Sequence, residues 1–190
     1  MVLPAALRWM LNGLIAGVTV GYPFLVWFSL DYFEPRMFAL LLAGLFLLRF
    51  LLSGAHATGG IARIVMPTCV LFLLAIAWLN QTGGLLVYPV FVSLLFFLVF
   101  SISLIYPPSV VERLARLEDP DLPAKGVVYT RKVTQVWSVF FLLNAAVSLF
   151  TVWYGDHWLW SLYNGCVFYI LMGLLMAVEM AVRRKVKASY

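Results

Sequence analysis

Residues 85–106 read LLVYPVFVSLLFFLVFSISLIY, an apolar run without one charged side chain. A bilayer core about 30 Å thick needs about 20 apolar residues in a helix, and this run supplies them. A helix apolar on every side has no face to offer water, so its solvent is lipid or other helices.

Working outward from this run, further apolar stretches lie at 4–30, 37–52, 61–79, 132–153 and 158–181. The expected fold is all-α: a polytopic membrane helical bundle with six transmembrane helices in a single integral domain, 1–190. The stretch 37–52 is the shortest; it either stands with little tilt or continues into 53–60. Run 4–30 is too long for a cleaved leader and lacks an A-x-A exit, so it reads as retained. Composition agrees: 64% of the 190 residues are hydrophobic, 11% are charged, and the mean hydropathy is +1.00. A water-soluble core is excluded, because soluble domains run near one-quarter charged.

Orientation follows from Lys and Arg, which favour the cytoplasmic side. Arg8, Arg49, Arg63, Arg113, Arg116, Lys125, Arg131, Lys132, Arg183, Arg184, Lys185 and Lys187 all fall on one side of the six-span reading. Of the 13 basic residues only Arg36 falls on the other, beside Asp31 and Glu34. Both termini are thus expected in the cytoplasm, with a multi-pass chain in an inner membrane. Aromatic residues should mark the two interfaces: Trp27, Tyr32, Trp78, Tyr88, Trp153, Tyr154, Trp158 and Trp160 outside, and Trp9, Tyr106, Tyr129 and Trp137 inside. The net charge of +5 follows the spans, so anionic lipid headgroups, not nucleic acid, are the expected partners.

Small and polar residues within the runs suggest how helices meet. Gly13, Gly17 and Gly21 form one stripe, and Gly165, Gly173 and Ala177 another with Tyr169 in its middle. Such stripes let backbones approach, within one bundle or across a homodimer. Pro23 and Pro67 should kink their helices. Asn12, Asn144 and Asn164 lie in apolar surroundings. The last two sit on a hairpin and could meet, either as interhelical glue or, with Tyr169, as a polar substrate pocket. Glu179 precedes Arg183 by four residues, the favourable order for an intrahelical pair. Cys69 and Cys166 read as buried thiols.

The segment 107–131 is the one long polar connection. Ser109-x-x-Glu112 is a capping-box signature. Val110, Val111, Leu114 and Leu117 then share one helical face, and Glu112, Arg113 and Arg116 the other. A short amphipathic cytoplasmic helix between the fourth and fifth spans follows, lying on the leaflet, with Glu112, Arg113 and Arg116 as a candidate docking surface. Asp119-Pro120-Asp121-Leu122-Pro123 ends it.

Beyond that loop come Tyr129-Thr130-Arg131, Val136-Trp137, Phe140-Phe141 and Asn144, then Trp158, Tyr163-Asn164, Tyr169, Gly173 and Glu179. Over about residues 107–182 this order resembles the intracellular septation protein A family. It is closer to a family of predicted bacterial inner-membrane proteins often encoded beside fatty-acid or aryl-polyene biosynthesis genes. The septation proteins commonly have five spans, where six are expected here. The resemblance implies cell-envelope or lipid-linked biogenesis and carries over no catalytic residue.

The chain holds no HExxH, GxSxG or phosphate-loop pattern, and His56 and His157 fall on opposite sides. No metal or cofactor is expected. A non-enzymatic scaffold or accessory component of envelope biosynthesis is the leading expectation; a small transporter or flippase for a lipid or acyl substrate is the alternative.

Overall fold

The computed structural model describes residues 34–52, 62–80 and 82–187, with Gly17, Gly21, Pro23 and Phe24. Most of run 4–30, including Asn12 and Gly13, and the connection 53–60 lie outside the described residues.

The described elements are all helical: α1 (Pro35–Leu52), α2 (Ala62–Leu79), α3 (Thr82–Ile105), α4 (Val110–Glu118), α5 (Ala124–Tyr154), α6 (His157–Leu162), a π-turn (Tyr163–Val167) and α7 (Phe168–Lys187). Among the described residues, three stretches are long and apolar enough to cross a membrane: Gly83–Ile105, Ala124–Tyr154 and His157–Lys187. The last carries the π-turn within it. Arg36–Leu48 and Ile64–Leu79 are shorter apolar stretches. At about 1.5 Å per residue, the 18 residues of α1 or α2 reach about 27 Å, at the lower edge of a bilayer core.

The chain divides into two compact units. The first takes the chain up to Tyr88 together with Thr151–Cys166; the second comprises Pro89–Phe150 and the chain from Val167 onward. In the first unit α1 packs on α2, and Asn80 governs their shared end. Its φ of 48° places it in the left-handed region that closes a helix. Its amide bonds back to the Ile76 carbonyl at 2.9 Å, while its side-chain oxygen accepts from the first free amide of α1, Arg36, at 3.1 Å. One residue thus ends α2 and caps α1. Gly84, just past the turn, lies so close to Ile76 that an added Cβ would sit 3.0 Å from it, so α3 leaves hard against α2.

Pro67 lies inside α2 as expected, and Pro89 lies inside α3. Helix α5 starts at Ala124, eight residues before the apolar run, and its 31 residues span about 46 Å. Hydropathy marks only the part of a helix that meets lipid; the first turns of α5, with Lys125, Arg131 and Lys132, continue beyond it. Trp78, Trp153 and Tyr154 are largely exposed, and Trp160, Tyr88 and Trp137 are buried. Trp27, Tyr32 and Trp9 lie outside the described residues.

Candidate functional site

In the second unit α5 turns small polar side chains inward beside Val133, Trp137 and Phe141, and other apolar ones outward. Thr130, Thr134, Ser138, Asn144 and Ser148 are buried at helical spacing, while Val136, Val139, Leu143 and Leu149 are exposed. That reversal suits a helix whose surroundings are lipid, where small polar residues let helices bond closely. Asn144 Nδ2 donates to Ser93 Oγ at 2.8 Å, and Ser93 Oγ donates to the Pro89 carbonyl at 2.8 Å. The hydroxyls of Ser101 and Ser138 pair at 2.6 Å. Thr130 and Thr134 bond back to carbonyls of their own helix. Between these bonds Phe96 stacks on Phe141 with ring centroids 5.1 Å apart, and Trp137 and Val133 complete the core.

The same hydroxyls hold α4. A helix start leaves its first amides without intrahelical partners. Here Val110 N–H donates to Ser103 Oγ at 3.1 Å, Val111 N–H to Thr134 Oγ1 at 3.3 Å, and Glu112 N–H to Ser109 Oγ at 3.4 Å. Two other helices and the N-cap residue therefore supply the cap of one. The contact with Thr134, nearly three turns into α5, makes α4 and α5 an antiparallel hairpin about Asp119–Pro123. Helix α4 runs back along α5.

The faces of α4 differ from expectation. Glu112 is only 7% exposed, whereas Leu114 and Leu117 are 55% and 79% exposed. The capping box is half made, since the Glu112 carboxylate takes the Arg116 guanidinium at 2.9 Å and not its own cap amide. Arg116 also donates to the Pro120 carbonyl, and Arg113 Nε to the Pro108 carbonyl at 2.8 Å. Two of the candidate docking residues, Glu112 and Arg116, thus brace the hairpin internally. Their outward neighbours are leucines.

The far end of α4 meets the end of α7. Glu118 pairs with Arg183 at 2.7 Å and with Lys187 at 3.6 Å. Arg183 is therefore committed across helices, and not to Glu179 four residues before it. Glu179 accepts instead from the Tyr129 hydroxyl at 3.3 Å, as does its backbone carbonyl at 3.2 Å. Phe140 stacks on Phe168 further along, so α5 and α7 run antiparallel in register.

In the first unit the chain widens into a π-turn after α6, whose N-cap is Asp156. Asn164 Nδ2 donates to the Trp160 carbonyl at 2.9 Å, which also takes the Tyr163 amide, so a buried side chain adds a bond within the wide turn. Trp160 Nε1 donates to the Leu86 carbonyl at 3.0 Å. A Cβ on Gly165 would come within 2.5 Å of the Phe24 ring, so this glycine is required for close approach. Beside them Ser161 Oγ is buried and has no hydrogen-bond partner, the one such side-chain atom among the described residues.

The remaining sequence candidates are placed as follows. Tyr169, in the second unit, is half-buried with its ring edge-on to Phe168 at 5.0 Å. An added Cβ at Gly17, Gly21 or Gly173 meets nothing within 4 Å among the described residues. Cys69 and Cys166 are free thiols, Cys69 buried and Cys166 half-buried. The stripe Thr130, Thr134, Ser138 and Ser148 was overlooked at the level of sequence, where hydroxyls inside an apolar run pass as neutral. Their spacing was the available signal, because it keeps them on one face with Asn144. No family model, curated protein or solved structure matches the chain.

Proposed function

We propose that the chain is a multi-pass bacterial inner-membrane protein with six spans and both termini cytoplasmic, acting as a non-enzymatic scaffold in cell-envelope or lipid-linked biosynthesis. The observation that carries this reading is how the polar groups are spent. Except for Ser161 Oγ, every buried side-chain nitrogen and oxygen among the described residues has a hydrogen-bond partner. An interior satisfied in this way is built for rigidity, since a catalytic centre needs groups aimed at a reacting atom. Exposed charge gathers instead at one end, around α4 and the adjoining ends of α5 and α7. The basic asymmetry of the sequence puts that end in the cytoplasm, and the six-span count takes α1 and α2 as short spans with run 4–30 before them.

Affinity purification of the tagged protein from native membranes tests the scaffold. A reproducible protein partner is expected, lost on Arg113→Glu and kept on Asn144→Ala. Reporter fusions at the two ends and at residues 56, 81 and 156 test topology; cytoplasmic signal at both ends is expected, with 81 and 156 outside. Absence of any partner, with wild-type behaviour of Arg113→Glu, would overturn the scaffold.

One feature favours the transporter reading in its place: a broken helix carrying an unpartnered buried hydroxyl at Ser161, of the kind that lines substrate paths. Reconstitution with fluorescent lipid decides between them. Flipping lost on Ser161→Ala or Asn164→Ala would establish transport; no flipping by the wild type would exclude it for the lipid tested.

A further inference from the structure

We infer that the outward edge of the α4–α5 hairpin, Leu114 and Leu117 with Arg113 and Arg131, binds anionic phospholipid, its cations on the headgroup phosphate and its leucines against the acyl chains. The inference rests on the proposed membrane scaffold only for the placement of this end at a bilayer surface.

The bond from Val111 to Thr134 sets the register. Leu114 lies three residues onward on α4 and Arg131 three residues back on α5; in an antiparallel pair these come to one level. The end of α3 stands close to that level, because Ser103 bonds Val110, and its last residues Ile105 and Tyr106 are 70% and 69% exposed. Apolar and cationic side chains are thus exposed together where the apolar helices give way to charge. Alone, neither set would specify much.

Charge complementarity selects the occupant. Arg113 and Arg131 are exposed, and neither forms an ion pair among the described residues. The nearby carboxylates are already committed: Glu112 to Arg116, and Glu118 to Arg183 and Lys187. Asp119 and Asp121 sit in the turn at the opposite end of the hairpin. A surplus of cations therefore stands beside exposed leucines. An anionic lipid presents phosphate and hydrocarbon in one molecule at the matching depth, and basic residues near such a surface gain about 1 kcal/mol each. Free phosphate would meet the cations but leave Leu114 and Leu117 in water.

Native mass spectrometry of the full-length protein, released from detergent micelles, provides the test. Phosphatidylglycerol and phosphatidylcholine of identical chains are titrated separately. The expected preference for phosphatidylglycerol is about tenfold or more, from two cations at that strength. Arg113→Gln with Arg131→Gln should bring phosphatidylglycerol down to the phosphatidylcholine level, and Leu114→Gln with Leu117→Gln should weaken both lipids. Equal occupancy by the two lipids in the wild type, or an unchanged preference in the charge variant, overturns the inference. So does full displacement of the lipid by glycerol phosphate, which has the charge without the chains. If the leucine variant fails to fold by circular dichroism, the charge variant decides alone. A partner protein lost on Leu114→Gln with lipid adducts unchanged would assign the edge to protein and sink the lipid site. Failure to recover any partner protein would count against the scaffold while leaving the lipid result standing.

Discussion

Asn144 and Ser93, fifty-one residues apart in the chain, are joined by a buried 2.8 Å hydrogen bond that ties α5 to α3. The amide donates, and the serine hydroxyl in turn donates a hydrogen bond to the Pro89 carbonyl of its helix. The bond fastens two helices, and the serine adds a second donor to the Pro89 carbonyl.

Asn144→Ala is therefore expected to destabilise the second unit by about 0.6–2 kcal/mol, the range for interhelical bonds in membranes. A double-mutant cycle with Ser93→Ala, read from detergent unfolding midpoints, should recover most of that as coupling. A coupling near zero would mean that the contact is incidental.

Ser103→Ala removes the acceptor for the Val110 amide, a buried donor that costs about 1–3 kcal/mol when left unpaired. Ser109→Ala, which removes the N-cap of α4, should cost about 1 kcal/mol. Both should speed hydrogen exchange of the α4 amides while leaving α1 and α2 unchanged. Uniform acceleration through the chain would argue for global weakening and against a local clasp.

The glycines separate by what surrounds them. Gly165→Ala forces its methyl toward the Phe24 ring and should cost about 1–3 kcal/mol, as overpacking does, with recovery on adding Phe24→Leu. Gly173→Ala meets open space in a helix and should be neutral or stabilising by up to about 1 kcal/mol. Should Gly173→Leu convert a dimer to a monomer in light scattering, the homodimer expected from its stripe would be established.

Glu118→Arg should loosen the end of α7 from α4 only slightly, because Glu118 is well exposed and such pairs are worth about 0–1 kcal/mol. The informative variant is the swap with Arg183→Glu. Protease cleavage within Asp119–Pro123 should rise in Glu118→Arg and return toward wild type in the swap, more clearly at low salt.

How much of this could be read from the residues depends on where their information is local. Helix α4 was legible because its signals are short-range: Ser109 before it, Asp119-Pro120 after it. Its facing was not, because amphipathic periodicity places leucines together without saying whether lipid or protein lies opposite. Arg183 chose Glu118 over Glu179 for a related reason. A spacing of four permits a pair, but a carboxylate brought in by tertiary packing can win it. Trp160 matched the belt in sequence position, while its burial depends on the turn of α6. The three long apolar stretches were plain from hydropathy alone, while the early start of α5 was hidden because hydropathy is blind to a helix once it leaves lipid.

The π-turn at Tyr163–Val167 has a consequence for insertions and deletions. A wide turn holds one residue more than the α-helix around it would need. Deleting one residue there would let an ordinary helix close and would turn Gly165 by about 100° away from the Phe24 ring. Elsewhere along an exposed helical face a slipped residue is often absorbed; here a bulkier neighbour would be driven at that ring.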